Sequence, residues 1–430
     1  MKHLLATFLV VALVFVFAGE IMAETKIDFE GQIRVRDELN GKSFDSSDAV
    51  KNYVDMRTRF GVRATVKDNV EAFVQLQDSR RFGQFDGDGN RLSGTLTNGA
   101  NVDVHQAFFH VKRMITDGLS FKAGRFEFAK GNQRVFGSVG WSNVGRSWDG
   151  AELTYTSEDQ FKASLFGLKA AERNNSYYNA DFDIFGLYTT INDFNLDIFG
   201  VYEYDADTTG LYTGINRLDR MSFGMYYHRK MDAIDFEMNG VYQTGKQARG
   251  LYDALDPALR DNMDKIDIAA FMFQAEAGYN FTDSPLKRVA LGVDFASGDD
   301  PTDADTYQGY NNLYYTGHKF RGFMDYFIAS HESGLIDLYG KVAVKPNDDW
   351  TIKLHGHYFQ TAEDYTYMTE SDTTMVSDVG MEFDLTVVTT VVEGIKIQGG
   401  ASIFMVEDAW AEVANPENGT YGYLMGVVNF

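Results

Sequence analysis

Residues 53–67 alternate between two kinds of side chain, and this alternation limits what the chain can fold into. The even positions include Met56 and Phe60 among other apolar residues, whereas the odd positions include Arg57 and Arg59 among other charged ones. Successive side chains of a strand point to opposite faces, so the stretch predicts a strand with one apolar and one charged face. A soluble sandwich buries the apolar face in a core, whereas a transmembrane barrel turns it to lipid and the charged face to the lumen.

The same two-faced pattern recurs to the end of the chain. It begins at residues 26–37, and after residues 53–67 the chain reverses tightly at Asp68-Asn69 and returns through Ala72, Val74 and Leu76. With these three, the pattern predicts about 18 strands. The further predicted strands are 102–112, 119–128, 148–157, 160–169, 181–190, 194–204, 220–229, 234–245, 267–280, 287–297, 334–345, 350–360, 377–388, 394–405 and 421–430.

The predicted connections alternate between short and long. Short ones include Ser157 to Gln160 and Arg229 to Ala233. The long, Gly- and Asp-rich ones are Arg80 to Ala100, Gly245 to Lys265, Ser297 to Ser333 and Thr361 to Met375. An up-and-down barrel with short periplasmic turns and long extracellular loops requires this alternation, and a soluble sandwich does not. The fold class predicted is therefore an all-β, transmembrane, antiparallel up-and-down barrel.

The N-terminus has the layout of a secretory signal peptide over residues 1–23, with Lys2, an apolar run from Leu4 to Ala18 and a small residue at Ala23. An N-terminal membrane anchor is the alternative, but the run is short for a spanning helix. The expected organisation is a signal peptide at 1–23 and a single barrel domain at 24–430. There is no cysteine, which rules out disulfides and thiolate nucleophiles within this chain.

The final residues favour insertion in a bacterial outer membrane. The last strand has Gly422, Leu424, Gly426 and Val428 at alternate positions before the terminal Phe430. This pattern resembles the C-terminal strand of bacterial outer-membrane proteins, which ends on an aromatic residue with apolar residues at alternate positions before it. We therefore expect lipid contact and recognition by the barrel assembly machinery through Phe430. The abundance of aromatic residues, 14% of the chain, with only 5 prolines, suits long paired strands with aromatic girdles.

Arginines cluster on the predicted lumen face of the first two strands. Arg34 and Arg36 lie on one strand and Arg57, Arg59 and Arg63 on the next. Five guanidiniums on adjacent strands can attract carboxylates or phosphates. The alternative is a self-neutralising wall, in which nearby acids of the same strands pair with these arginines. Those acids are Asp28, Glu30, Asp55 and Glu71.

Acidic residues dominate the later strands. Residues 24–150 carry 19 Lys+Arg against 17 Asp+Glu, whereas residues 151–430 carry 19 against 44. On predicted inward positions they can form a negative wall opposite the arginines, and the result would be a transverse field rather than simple anion selectivity. These residues are Asp197, Glu203, Asp235, Glu237, Asp294, Asp337, Glu382 and Asp384.

Two ordered blocks resemble the alginate-export family of outer-membrane barrels. The first runs from Gly124-Arg125-Phe126 through Gly131-Asn132-Gln133-Arg134 to the stretch 141–150, which reads Trp-Ser-Asn-Val-Gly-Arg-Ser-Trp-Asp-Gly. The second includes Asp294-Phe295-Ala296-Ser297-Gly298-Asp299 and, later, Gly322-Phe323-Met324-Asp325. The resemblance implies an 18-stranded barrel whose arginines conduct an anionic polysaccharide.

On the matching positions, the resemblance makes Arg125, Arg134 and Arg146 candidate pore residues. The alternative is that they anchor loops by pairing with Glu127 and Asp149. Arg125 is in phase with the apolar positions of its own strand, which include Phe121. Exposure of Arg125 to the lumen therefore requires a bulge near Gly124, or a Phe121 side chain that also faces inward. The formal net charge of −23 also departs from what a carrier of a polyanion needs, so the substrate is not carried over.

Other kinds of site have weaker support in the sequence. Residues 86–90 space oxygen ligands as a calcium loop does, but Arg91 replaces the required glycine, so a solvated loop is expected. His355 and His357 share a strand face, where a polar lumen wall is expected rather than a metal site. No nucleophile elbow, HExxH or phosphate-binding loop occurs, so we expect no enzyme, cofactor or metal.

The interpretation that follows is a monomeric outer-membrane porin that passively conducts small or linear hydrophilic, anionic solutes through an arginine-lined lumen. No nucleic-acid partner is expected. The alternative function is a structural or adhesin-type barrel without an open pore. A sheath around a multihaem cytochrome would need more strands.

Overall fold

Eighteen long strands form one closed antiparallel barrel in the computed structural model, within the residues that it describes. Those residues are 25–83, 102–158, 160–173, 180–206, 217–248, 265–300, 302–368, 373–411, 413 and 416–430. The predicted signal peptide, residues 1–23, and the calcium-like loop, residues 86–90, lie outside them. No helix in the described ranges is both long and apolar enough to cross a membrane.

The strands follow one another around the barrel in chain order. They are β1 (Thr25–Gly41), β2 (Lys51–Val66), β3 (Val70–Arg81), β4 (Asp103–Val111), β5 (Leu119–Phe126), β6 (Trp148–Ser157), β7 (Phe161–Ala171), β8 (Phe182–Ile191), β9 (Leu196–Asp205), β10 (Leu218–Met231), β11 (Ile234–Ala248), β12 (Lys265–Asn280), β13 (Leu286–Ala296), the two-residue β14 (Thr306–Tyr307), β15 (Leu335–Asn347), β16 (Trp350–Met368), β17 (Thr373–Thr389), β18 (Ile395–Val406) and β19 (Gly419–Asn429). β14 pairs in parallel with β12 and is not one of the eighteen.

Pairing of the first strand with the last closes the barrel. β1 pairs with β19 in antiparallel register, from Gln32 opposite Asn429 to Gly41 opposite Thr420. Closure satisfies the backbone hydrogen bonds of the two strands that would otherwise be edges, as hydrocarbon surroundings demand. The predicted fold class and the strand count are both confirmed.

The two strand faces differ as the alternation predicts. Phe29 and Leu291 are 68% and 71% exposed on the outer face, where lipid solvates apolar side chains. On the other face, Arg34 and Asp55 are 4% and 2% exposed, although charged side chains rarely lose contact with water. The barrel interior therefore contains protein rather than solvent next to these residues.

The connections also alternate in length, as predicted. Residues 67–69 and 232–233 make short turns at one end, whereas residues 127–147 and 297–334 make long connections at the other. One predicted long loop is wrong: β16 continues to Met368 and β17 begins at Thr373, so most of Thr361 to Met375 is strand. That loop contains Tyr and Thr residues, which favour extended structure, and its polarity alone suggested a loop.

Two of the long connections fold into the barrel. We call residues 127–147 the first inward segment and residues 308–334 the second inward segment. The first contacts β3 through Ser79 Oγ, which donates to the Asn143 carbonyl at 2.6 Å, and β11 through Asn132, which donates to Glu237 at 2.9 Å. Strands on opposite parts of the ring can meet one connection only across the interior.

The second inward segment likewise touches distant parts of the wall. The Tyr314 hydroxyl donates to Glu203 of β9 at 2.7 Å, and the Met324 amide donates to Glu382 of β17 at 2.8 Å. The predicted outer loop from Ser297 to Ser333 is therefore corrected, since much of it packs inside the barrel. Its many Gly and Asp residues suggested solvent exposure, but its aromatic residues are buried instead.

Apolar clusters hold both inward segments against the wall. The first contains Phe128 and Phe136 of the first segment with Phe166 of β7. The second contains Met324 and Phe327 of the second segment with wall residues of β16 to β19. Burial of such large side chains contributes roughly 1.5–3 kcal/mol each, so the segments are built-in parts of the fold.

Candidate functional site

Arg34 and Arg57 are cross-strand partners that grip one turn of the first inward segment. Arg34 donates to the carbonyls of Gly140 and Ser142, each at 2.9 Å, and Arg57 Nη1 donates to the same two oxygens at 3.2 and 3.0 Å. Arg57 Nη2 also donates to Gln32 Oε1 at 2.7 Å. Carbonyl dipoles thus replace water around two buried guanidiniums.

These two charges have no carboxylate partner in the part of the chain that the structure covers. Arg34 Nε is also buried without a hydrogen-bond partner there. Unpaired charges in a low-dielectric interior are costly and act over longer distances than charges in water. The Arg34–Arg57 pair is therefore the uncompensated positive point of the arginine cluster.

Arg36 holds the next residue of the same turn. Its Nη1 donates to the Trp141 carbonyl at 2.7 Å, and its guanidinium lies 4.1 Å from the centre of the Trp141 ring. Its Nε donates to Glu38 at 2.5 Å, so this charge is paired. The Trp141 ring stacks on His318 of the second inward segment at 4.0 Å between centroids. Arg36 thus anchors a point where both segments meet.

Arg59 and Arg63 are neutralised by carboxylates. Arg59 Nη1 donates to Glu127 at 2.9 Å. Arg63 donates to Glu71, and its Nη2 also lies 3.5 Å from a carboxylate oxygen of Glu30. Only Arg63 pairs with acids named in the self-neutralising alternative, because the partner of Arg59 belongs to the first inward segment. Arg63 is the more open of the two, with 29% of its side chain exposed against 11% for Arg59.

Arg125 lies on a different face from the other arginines. It follows the phase of Phe121, whose ring contacts the outward Phe109, and forms a two-point pair with Asp149 at 2.8 and 2.6 Å. The register with β6 runs without a bulge through Gly124, so no shift turns Arg125 inward. This position differs from the pore-lining one expected, and the pairing with Asp149 is the anchoring arrangement that was its alternative.

Arg134 and Arg321 share one carboxylate of the wall. Arg134 Nη1 donates to Asp294 Oδ2 at 2.5 Å, and Arg321 Nε donates to the same oxygen at 3.1 Å. All three side chains are at most 5% exposed. Arg321 also donates to Asn312 at 2.9 Å. One acid of β13 therefore fixes both inward segments, a role that the isolated Gln133-Arg134 motif did not reveal.

Arg146 completes the connection between the segments. Its Nη1 donates to the Tyr314 carbonyl and, at 3.3 Å, to the Tyr315 carbonyl. Nearby the two backbones pair directly: the Tyr314 amide donates to the Val135 carbonyl and the Gly137 amide to the Tyr314 carbonyl, both at 2.9 Å. The segments thus form one constriction rather than two separate loops.

The expected negative wall is compensated in part. Glu203 pairs with Arg220 through two contacts of 2.8 Å, and Asp235 pairs with Arg288. Asp337 contacts His357 at 2.9 Å. Sequence reasoning missed Arg220, Arg288 and Arg321 as functional partners. A signal existed for Arg220, which lies directly opposite Glu203 of the neighbouring strand.

Comparison with known structures agrees with the barrel fold. The BenF-like porin from Pseudomonas fluorescens Pf-5 is 11% identical with a TM-score of 0.58, covering 94% of this chain and 98% of that one. OccAB1 of Acinetobacter baumannii is 11% identical with a TM-score of 0.58, covering 94% and 96%. OpdK of Pseudomonas aeruginosa, solved with vanillate, is 9% identical with a TM-score of 0.57, covering 94% and 98%.

A search of curated proteins finds no matching sequence. The family model described as alginate export, in contrast, matches residues 25–421, which is nearly the whole barrel. The fold similarity to porins and this match together place the protein in the outer membrane. The chain belongs to the alginate export family of outer-membrane β-barrels.

Proposed function

We propose that this barrel is a passive channel for small or linear hydrophilic solutes that carry anionic groups. The observation that carries the proposal is the Arg34–Arg57 pair, two adjacent guanidiniums without a carboxylate partner in the described residues, set beside the constriction. Such charges raise the local concentration of anions in a narrow, low-dielectric passage. OpdK, a barrel of similar fold, was solved with vanillate, which is a carboxylate.

Each arginine has its own part in the proposed pathway. Arg34 and Arg57 supply the field, and the more open Arg63 contacts the solute directly. Arg36, Arg59, Arg134 and Arg146 hold the inward segments and so set the width of the passage. Arg125 is left outside the pathway because its side chain follows the outer face with Phe121.

The proposal extends to partners and chemistry. The barrel transports without catalysis, works as a monomer, and takes short anionic saccharides or organic acids as solutes. The barrel assembly machinery recognises its C-terminal strand through Phe430.

The test is single-channel recording in a planar bilayer under a salt gradient. We expect a steady conductance with anion preference, and a reversal potential that moves toward cation preference in the double variant Arg34→Gln, Arg57→Gln. The double variant Arg34→Lys, Arg57→Lys keeps the charge and loses the forked grip, so its conductance changes while its selectivity stays. Arg125→Gln is the matched control and should behave as the wild type.

Two results would count against the proposal. An unchanged reversal potential in the double glutamine variant would remove the guiding role of the pair. A wild-type barrel without conductance would favour the structural or adhesin barrel. A specific observation supports that second function, namely the apolar packing of both inward segments across the interior.

A further inference from the structure

Three potential metal ligands gather on the inner wall between β16 and β17. His355, His357 and Asp384 each offer one ligand atom, and these atoms all lie within 4.8 Å of one another. His355 and Asp384 are direct cross-strand partners, and His357 follows on the same face of β16. Two imidazoles and one carboxylate are a ligand set that zinc and related divalent transition metals prefer.

His357 and Asp384, the two buried members of this group, have ligand atoms that face each other. His357 Nε2 is buried without a hydrogen bond in the described residues and lies 4.0 Å from Asp384 Oδ2, whose carboxyl group also contacts Glu382. The side chains are 1% and 0% exposed, so water does not solvate them. Buried polar atoms are nearly always satisfied, and a buried imidazole nitrogen that faces a carboxyl group without a hydrogen bond points to a missing cation.

The surrounding residues prepare both ligands. Asp337 contacts His357 Nδ1 at 2.9 Å, which fixes the tautomer whose Nε2 carries a free lone pair. The Ser402 hydroxyl donates to Asp384 Oδ1 at 2.5 Å and leaves Oδ2 available. A carboxylate that orients a metal-binding histidine is the usual outer-shell arrangement of zinc sites.

The local charge also suits a cation. Glu382, two residues before Asp384 on the same face, contacts Asp384, so two neighbouring acidic groups lie beside the site. Lys341, the nearby cation, is paired with Glu276 at 2.8 Å. His355, the partly buried member of the group, lines a cavity of about 260 Å³.

We propose that His355, His357 and Asp384 bind one divalent transition-metal ion, with zinc as the reference ion. Bonds of roughly 2.0–2.2 Å require the three ligand atoms to move together by small side-chain rotations, with water completing the coordination. His355, the partly buried member, makes the largest of these movements. Asp337 is a positioning residue in this site and not a ligand.

Equilibrium binding of Zn²⁺ to the full-length barrel, prepared without a polyhistidine tag and stripped with chelator, tests the proposal. We expect one saturable site per chain, and a Co²⁺ derivative with visible absorption bands of a nitrogen- and oxygen-ligated ion. His357→Ala and Asp384→Asn should each weaken binding at least 100-fold, and Asp337→Asn should weaken it about 10–100-fold. Ca²⁺ should not compete, because it prefers an all-oxygen site.

His228→Ala, at an exposed position of β10, is the matched control and should bind like the wild type. Heat-modifiable migration in gel electrophoresis verifies that each variant is folded. His355 is less buried than His357 and Asp384, so His355→Ala removes a ligand with less disturbance of the packing around it. Absence of saturable Zn²⁺ binding would overturn the proposal. Binding that survives all three ligand substitutions would do so equally.

Discussion

Asp294 compensates two guanidiniums at once in the interior of the barrel, one from each inward segment. Its replacement by asparagine would keep the shape and leave Arg134 and Arg321 as unpaired buried charges. Breaking one partner of a buried ion pair costs about 3–5 kcal/mol, and here the release of both segments from the wall can relieve the cost. For Asp294→Asn we expect a larger conductance and faster proteolysis within residues 127–147 and 308–334.

Asp235→Asn serves as the comparison for that prediction. Asp235 also pairs with an arginine, Arg288, but both side chains belong to the wall and contact neither segment. This variant should keep the wild-type conductance. Equal conductance in Asp294→Asn and the wild type would mean that the apolar clusters alone hold the segments.

The alternation of side chains along a strand predicts which way a residue points, but it does not predict which residues it contacts. The inward positions of Arg34 and Arg57 could be predicted, because the period of a strand is two and one face was apolar. Their partners could not, because Gly140 and Ser142 are more than 80 residues away and accept only through their backbone oxygens. Every residue has a backbone carbonyl, so the hydrogen bonds from Arg34 and Arg57 to the first inward segment could not be predicted from the sequence.

The two inward segments approach so closely at Gly137 that only glycine fits. A Cβ built there would lie 2.0 Å from Thr316 Oγ1 and 3.0 Å from the Thr316 amide nitrogen. Gly137→Ala must therefore push the segments apart and weaken the backbone pairing between Val135 and Tyr314. We expect faster hydrogen exchange of the Tyr314 amide, by at least tenfold, and a higher conductance.

Gly140 lies in the same segment and provides the control. A Cβ at Gly140 meets no atom within 4 Å, and its backbone does not require glycine. Gly140→Ala should therefore leave exchange and conductance unchanged. If Gly137→Ala exchanged as slowly as Gly140→Ala, the two segments would have to shift together, and the constriction would be more plastic than its contacts indicate.

Elements were predictable where a repeating pattern defines them. All eighteen barrel strands follow from the alternation, and most of their ends differ by a few residues, the main exception being β16, which extends to Met368. The inward course of residues 127–147 and 308–334 was not predictable, because loops rich in Gly and Asp are usually exposed. The buried aromatic residues within them, such as Phe136 and Phe327, carried the signal that was missed.

At the scale of the whole molecule, the barrel depends on the seam between β1 and β19, and Phe430 extends that seam by one residue pair. The Phe430 amide donates to the Gly31 carbonyl at 3.0 Å, and the Gly31 amide donates to the Phe430 carbonyl at 2.6 Å. Its side chain is 67% exposed, and its ring lies over Gly31, where an added Cβ would be 2.4 Å from the ring. Backbone pairing and ring recognition can therefore be separated by mutation.

Phe430→Ala keeps the two backbone hydrogen bonds and removes the ring, whereas deletion of Phe430 removes both. In refolding from urea into detergent or lipid, where no assembly machinery is present, we expect Phe430→Ala to match the wild type. The deletion should lose about 1–3 kcal/mol of unfolding free energy, from two net hydrogen bonds. In cells, both variants should reach the outer membrane several-fold less, measured as the heat-modifiable fraction, because the recognition proposed for the barrel assembly machinery requires the ring. Normal assembly of Phe430→Ala in cells would show that the seam alone, and not the terminal aromatic residue, directs insertion.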